Sequence, residues 1–192
     1  MLEKKRCAWA TSDPLNIKYH DTEWGRAIYD DRLLFEFLNL EGMQAGLSWL
    51  TILKKRDQYR HRFQQFDAKK IIQFTPEDIE ACLQDPGIIR NRLKVNAIMT
   101  NAQAYLNLKE KTGSFSDYLW QFVDGKPIQN HWKTRQDVPT HTPISDQLAK
   151  DLKERGFKFI GTTICYAFMQ AVGMVNDHTI HCYCYSEIKK GS

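Results

Sequence analysis

The stretch from Gly156 to Cys182, GFKFIGTTICYAFMQAVGMVNDHTIHC, constrains the fold more than any other part of this chain. It opens with a tight turn bounded by Gly156 and Gly161. An apolar run follows, with Ile164, Phe168, Ala171 and Val172 at i, i+4, i+7, i+8 spacing, the mark of a buried helix. It closes on His178 and Cys182, four residues apart and so on one face if that segment is helical. A turn of unusual geometry, a buried helix and half of a candidate metal site thus follow one another. Candidates for the other half stand at the opposite end of the chain.

Helix signals dominate elsewhere. Asp30 or Asp31 is placed to cap RLLFEFLNLEGMQ. Glu41 falls in register with Leu33, Leu34, Phe37 and Leu38, so its carboxylate is turned inward, which is costly unless it is paired or faces a pocket. GMQAGLSWLTILKKR breaks and restarts the helix beside Trp49. Thr75, Pro76 and Asp78 form a start signal for a helix over PEDIEACL. A turn at DPG leads into a long helix whose Arg90, Arg92 and Lys94 make a local basic cluster. Ser114 or Ser116 caps the next helix; Ser145 caps SDQLAKDLKERG, and Gly156 stops it. Asp124 to Thr142 reads as an extended connection. The first thirty residues, which carry Trp9, Tyr19, Trp24 and Tyr29, read as an irregular strap, and the tail after Cys182 as short and frayed. No alternating strand with hairpin chemistry is present. The expectation is an all-α fold, one domain over residues 1–192.

Bulk properties exclude more than they specify. A net charge of +4 is compatible with nucleic acid without requiring it. Five cysteines, an odd number, argue against a disulfide framework and for burial or metal ligation. There is no apolar run long enough for a bilayer, nor an apolar segment behind MLEKKRCAW, so a cytoplasmic, membrane-free protein is expected.

Two constellations carry chemistry. KERGFKFIGTTICY resembles a helix-hairpin-helix turn, with Phe159 where the first glycine is usual. Such a hairpin aims free backbone N–H groups and a helix dipole outward, a phosphate site blind to sequence. Gly156, Lys158 and Gly161 form it, and Thr162 and Thr163 add hydroxyls. Cys7, His20, His178 and Cys182 are a coherent Cys₂His₂ set if the termini meet. Twelve residues separate the first pair and three the second, gaps that both permit ligation. His181 and Cys184 are rival ligands.

Together, CAW, YHDTEWG, LEGMQAGLSWLTILKKR, DPGIIRNR and RGFKFIGTTICYAFMQAVGMVNDH with the cysteine beyond resemble the 3-methyladenine DNA glycosylase I family, a branch of the helix-hairpin-helix glycosylases. The resemblance runs over nearly the whole sequence. It implies one structural Zn²⁺ on Cys7, His20, His178 and Cys182, and a base pocket lined by Glu41, Tyr19 and Trp49 with Trp24 nearby. It also implies a monomer that acts on double-stranded alkylated DNA. The nucleotide is extruded, the cationic base lies between Tyr19 and Trp49, and the glycosidic bond is hydrolysed to an abasic site without strand cleavage. Many relatives in the wider superfamily place a catalytic Asp where this chain has Asn176, so hydrolysis without a dedicated carboxylate base is expected. Two other readings remain open on the residues: a non-enzymatic reader of alkylated or distorted DNA, and a zinc hydrolase with an open coordination position.

Overall fold

Side-chain caps set most helix boundaries in the computed structural model, which describes residues 4–190. Asp30 caps α2 (Asp31–Gln44) and Ser48 caps α3 (Trp49–Arg62), with Gln44 and Trp49 marking the break expected between them. α1 (Pro14–Thr22) lies within the stretch read as irregular. Asp13 accepts from the Leu15 N–H and Pro14 opens the first turn, so the start signal was there. No apolar stripe follows it, because the buried residues of α1 are Tyr19 and His20.

α4 (Ala68–Ile71) and α5 (Pro76–Gln84) follow, the latter with the full Thr75–Asp78 capping box. α6 (Arg92–Thr112) is the long helix, and Ser114 caps α7 (Phe115–Trp120). α8 (Pro143–Glu154) starts three residues before the expected Ser145: Thr142 is the N-cap, and Ser145 is its capping-box partner at N3. At its end the Gly156 N–H donates to the Lys153 carbonyl and the Phe157 N–H to that of Leu152, a Schellman closure. α9 (Thr162–Ala171) follows the hairpin.

Two further differences have local causes. The tail is not frayed, since residues 183–190 form α10 (Tyr183–Lys190). Among the described residues, the fold departs from all-α at a parallel pair, β1 (Ile128–Gln129) with β2 (Val175–Asn176), two residues long. Strands this short have no sequence period to read. Nor is His178–Cys182 helical; it is a turn, with the Cys182 N–H donating to the Thr179 carbonyl.

α2 is the axis. Every residue from Leu34 to Met43 is buried, so it presents no solvent face, and α3, α6, α7 and α9 pack around it. At Gly42 a Cβ would stand 3.2 Å from the Phe159 carbonyl oxygen, so only glycine lets the hairpin seat this closely on the helix. Arg56 of α3 pairs with Glu36 of α2 (2.8 Å) and Glu23 beyond α1 (2.6 Å), fixing the three segments that surround the cavity described next.

Candidate active site and metal centre

A cavity of about 580 Å³ opens between α1, the α2–α3 break, α9 and the connection before α8. Its lining includes Tyr19, Trp24, Glu41 and Trp49, so the four residues nominated for the base pocket are brought together. Glu41 is 4% exposed and its carboxyl has no hydrogen-bond or ion-pair partner among the described residues; burial alone pushes it up to about 8. Burial, with the nearby Glu41 charge as the next cause, also raises the Tyr19 hydroxyl well above its ordinary value. The Tyr19 hydroxyl and the Trp49 indole N–H are buried and unpartnered. Such orphaned groups are expensive unless a ligand meets them.

The two rings do not form opposed plates. Their centroids lie 5.4 Å apart at 45°, in contact with each other, which leaves no room for a flat base between them. They make one corner of the cavity instead, with faces open to a ligand from a single side. Trp9 extends this wall, 6.4 Å from Tyr19 and 5.1 Å from Trp24.

Asn176, expected at the position of a catalytic carboxylate, does not line the cavity. Its amide donates to Gln129 (2.9 Å) and to the Tyr185 carbonyl (3.2 Å), a strut beneath β2. Asp177 lines the cavity in its place. Its two oxygens accept from Asn130 (2.7 Å), Trp132 (2.8 Å), Tyr166 (2.7 Å) and Gln170 (2.8 Å). A carboxylate has about four lone-pair sites, and all of these are taken.

Beside the cavity the ligand atoms of Cys7, His20, His178 and Cys182 lie within 4.8 Å of one another, all buried. Cys7 Sγ and Cys182 Sγ stand 3.5 Å from His178 Nδ1, and Cys182 Sγ is 3.4 Å from His20 Nε2. A tetrahedron with metal–sulfur and metal–nitrogen bonds of about 2.3 and 2.0–2.1 Å has sulfur–nitrogen edges of roughly 3.5 Å, so the four fit. The second ring nitrogens are oriented as metal ligation requires: His178 Nε2 donates to the Trp24 carbonyl (3.1 Å), and His20 Nδ1 pairs with Asp21 (2.8 Å). Arg6 in turn holds Asp21. Of the rivals, His181 is exposed and outside the cluster, whereas Cys184 packs on the far side of His20, 3.9 Å from Nδ1.

The hairpin is held from behind. Buried Asn101 accepts from the Lys158 N–H (2.7 Å) and donates to the Lys158 carbonyl (3.2 Å) and to Asn39 (3.0 Å). Phe159 takes φ +54°, the left-handed conformation that the missing glycine would have adopted freely. No side chain caps α9, whose N-cap is Gly161. The Lys158 and Thr163 side chains are exposed, but the Thr162 hydroxyl already donates to Asp146. The basic cluster is dispersed: Arg92 pairs with Glu80, and Lys94 is buried with its ammonium on the Met43 and Ala45 carbonyls.

The family model for methyladenine glycosylase matches residues 9–185. The chain belongs to that family. DNA-3-methyladenine glycosylase 1 of Escherichia coli (strain K12) is 52% identical over 181 residues, covering 94% of this chain and 97% of that protein. A crystal structure of a 3-methyladenine DNA glycosylase I superposes with a TM-score of 0.92 at 54% identity, covering 94% of this chain and 99% of that one. A point variant of such a glycosylase, crystallised in complex with 3-methyladenine, has a TM-score of 0.90 at 41% identity over 93% of this chain and 96% of that one.

Among the described residues of this family member no helix is long and apolar enough to cross a membrane. Some cavity residues carry no signal in the sequence that singles them out: Trp9 is one of four aromatics in the first thirty residues, Asp177 adjoins the Asn176 that the superfamily pattern points to, and Arg135, Val138 and Pro139 lie in a segment that reads as a connection.

Proposed function

We propose that this chain is a monomeric DNA repair glycosylase that releases 3-methyladenine from alkylated double-stranded DNA, leaving an abasic site and an uncut strand. The class of reaction is the family's, a hydrolase acting on N-glycosyl bonds. The observation that carries the reading is the triad of unmet polar groups in one cavity: the Glu41 carboxyl, the Tyr19 hydroxyl and the Trp49 indole. A related glycosylase in complex with 3-methyladenine supports the choice of ligand.

N3-alkylation makes adenine a cation. Aromatic faces at one corner of the cavity attract that charge, and Glu41 gives up its proton to accept from the edge of the base. Neutral adenine offers neither gain, so discrimination rests on charge. Each charge-assisted bond is worth about 1.5–3 kcal/mol. The base can enter only after leaving the stack. Because the leaving group is already cationic, little acid catalysis is needed, and the site's work is binding and electrostatic stabilisation of the sugar cation. The saturated shell of Asp177 and the place of Asn176 outside the cavity lining support hydrolysis without a dedicated carboxylate base. Cys7, His20, His178 and Cys182 would hold one Zn²⁺; four protein ligands close its sphere, so it supplies structure, not an activated water. The hairpin and the α9 N-terminus, with Lys158 and Thr163, contact the DNA backbone.

Incubation with methylated duplex followed by chromatography of free bases tests the reading. A glycosylase liberates 3-methyladenine and leaves alkali-sensitive sites, while a non-enzymatic reader binds the duplex and releases nothing.

A further inference from the structure

The inference here rests on the glycosylase reading and asks what else the cavity holds. A volume of about 580 Å³ is in the range for a drug-sized ligand and exceeds the needs of one purine, so its mouth has room for sugar and phosphate. The carboxyls that line it, Glu41 and Asp177, are buried. Among the described residues of its lining, Arg135 is the one arginine or lysine. Arg135 is exposed, and its guanidinium makes no ion pair or hydrogen bond among the described residues.

We propose that Arg135 binds the phosphodiester next to the extruded nucleotide, holding the flipped strand at the cavity mouth. A guanidinium repels the cationic base, so the anion it meets there is the backbone, for which its fork is suited. The backbone that carries it is held in place. Asp137 accepts from the Thr134 N–H (2.8 Å) and hydroxyl (3.0 Å), closing a single 3₁₀ turn over Arg135–Asp137. Just before that turn, Trp132 donates to Asp177 (2.8 Å) and accepts from the Ile180 N–H (2.9 Å). The contact positions the strand and carries no sequence information. It forms only when a nucleotide has left the helix, which separates it from the hairpin's grip on ordinary duplex.

The test compares wild type, Arg135→Gln and Arg135→Lys on methylated duplex, on a duplex with an abasic analogue and on undamaged duplex over a range of salt. Arg135→Gln is expected to raise KM about tenfold. The salt slope on the abasic-analogue duplex should fall by about 0.9, the share of one phosphate. Undamaged duplex, free 3-methyladenine affinity and melting temperature stay as in wild type, and Arg135→Lys keeps the slope. An unchanged slope and KM, an equal slope change on undamaged duplex, or a loss of free-base affinity each overturns the assignment while wild type still releases base. Wild type that releases no 3-methyladenine sinks the glycosylase reading and this contact with it.

Discussion

Glu41 shows how one side chain can tie selectivity to pH. Its carboxyl is pushed up to about 8 because the pocket strips it of water and gives it no partner, so near neutrality the empty protein keeps it mostly protonated. On the proposed reading a cationic base displaces that proton. Catalytic efficiency on methylated DNA is therefore expected to rise with pH, up to tenfold per unit, and to level off near 8. In Glu41→Gln that limb should be absent and free 3-methyladenine affinity reduced, with undamaged DNA bound as before. Stability has the opposite slope. The unfolded chain loses this proton near the ordinary 4.5 and the folded chain near 8, so between those values the unfolded state binds fewer protons and stability falls as pH rises. Glu41→Gln should then melt higher than wild type at pH 8, with the gap closing toward pH 5; a pH-independent gap would mean that Glu41 ionises normally. The inward aim of Glu41 was legible because its helical register with Leu34, Phe37 and Leu38 is a local property. Choosing Asp177 over Asn176 was not, because those two neighbours differ only in which partners the folded chain brings, Gln129 for one and Asn130, Trp132, Tyr166 and Gln170 for the other.

At the scale of elements, the hairpin is a strained turn that its surroundings over-determine. A phenylalanine at φ +54° costs on the order of 1–3 kcal/mol, and it persists because Asn101 grips both backbone groups of Lys158 from α6 while Gly42 lets α2 approach. Asn101→Ala leaves the Lys158 N–H and Asn39 short of partners, an expected loss of about 1–3 kcal/mol. For a chain of this length that corresponds to a drop of roughly 2–4 °C in melting temperature per kcal/mol. Binding to undamaged duplex should weaken in parallel, while free 3-methyladenine affinity, read by calorimetry, holds. Retained duplex affinity in a destabilised Asn101→Ala would sever the hairpin from DNA binding. Helix limits were readable where a local cap adjoins an apolar stripe, closed by side chains at Thr75 with Asp78 or by backbone at Gly156. They shifted where two candidates competed, as at Thr142 and Ser145, and failed where no stripe follows the cap, as in α1. What no local pattern announces is the Asn39–Asn101–Lys158 chain, whose members come from three elements far apart in sequence.

For the molecule as a whole, the Cys₂His₂ cluster joins residue 7 to residue 182, and the segments it ties are the ones that furnish the cavity. Tyr19 and Trp24 flank or adjoin His20, Cys7 and Thr179 line the cavity themselves, and the Trp24 carbonyl accepts from the ligand His178. The spacing admitted the four residues and the resemblance nominated them, but only the fold leaves His181 outside and sets Cys184 behind His20. On the proposed reading, a metal held at this cluster would be coupled to base binding through geometry, although no ligand atom need touch the base. Cys182→Ser, or exhaustive chelation of wild type, is expected to remove one equivalent of zinc and lower the melting temperature by more than Asn101→Ala does. The same treatment should cost free 3-methyladenine affinity, because a released N-terminal segment takes Tyr19 and Trp24 with it. Duplex binding through the hairpin, whose supports Asn39, Asn101 and Gly42 lie away from the cluster, should survive at temperatures where the protein remains folded. Cys184→Ser is the control and should keep its metal. If the metal-free protein melted at the wild-type temperature and bound 3-methyladenine equally well, the packing of Trp9, Trp24 and α10 alone would suffice to close the cavity, and the cluster would have no part in holding the base.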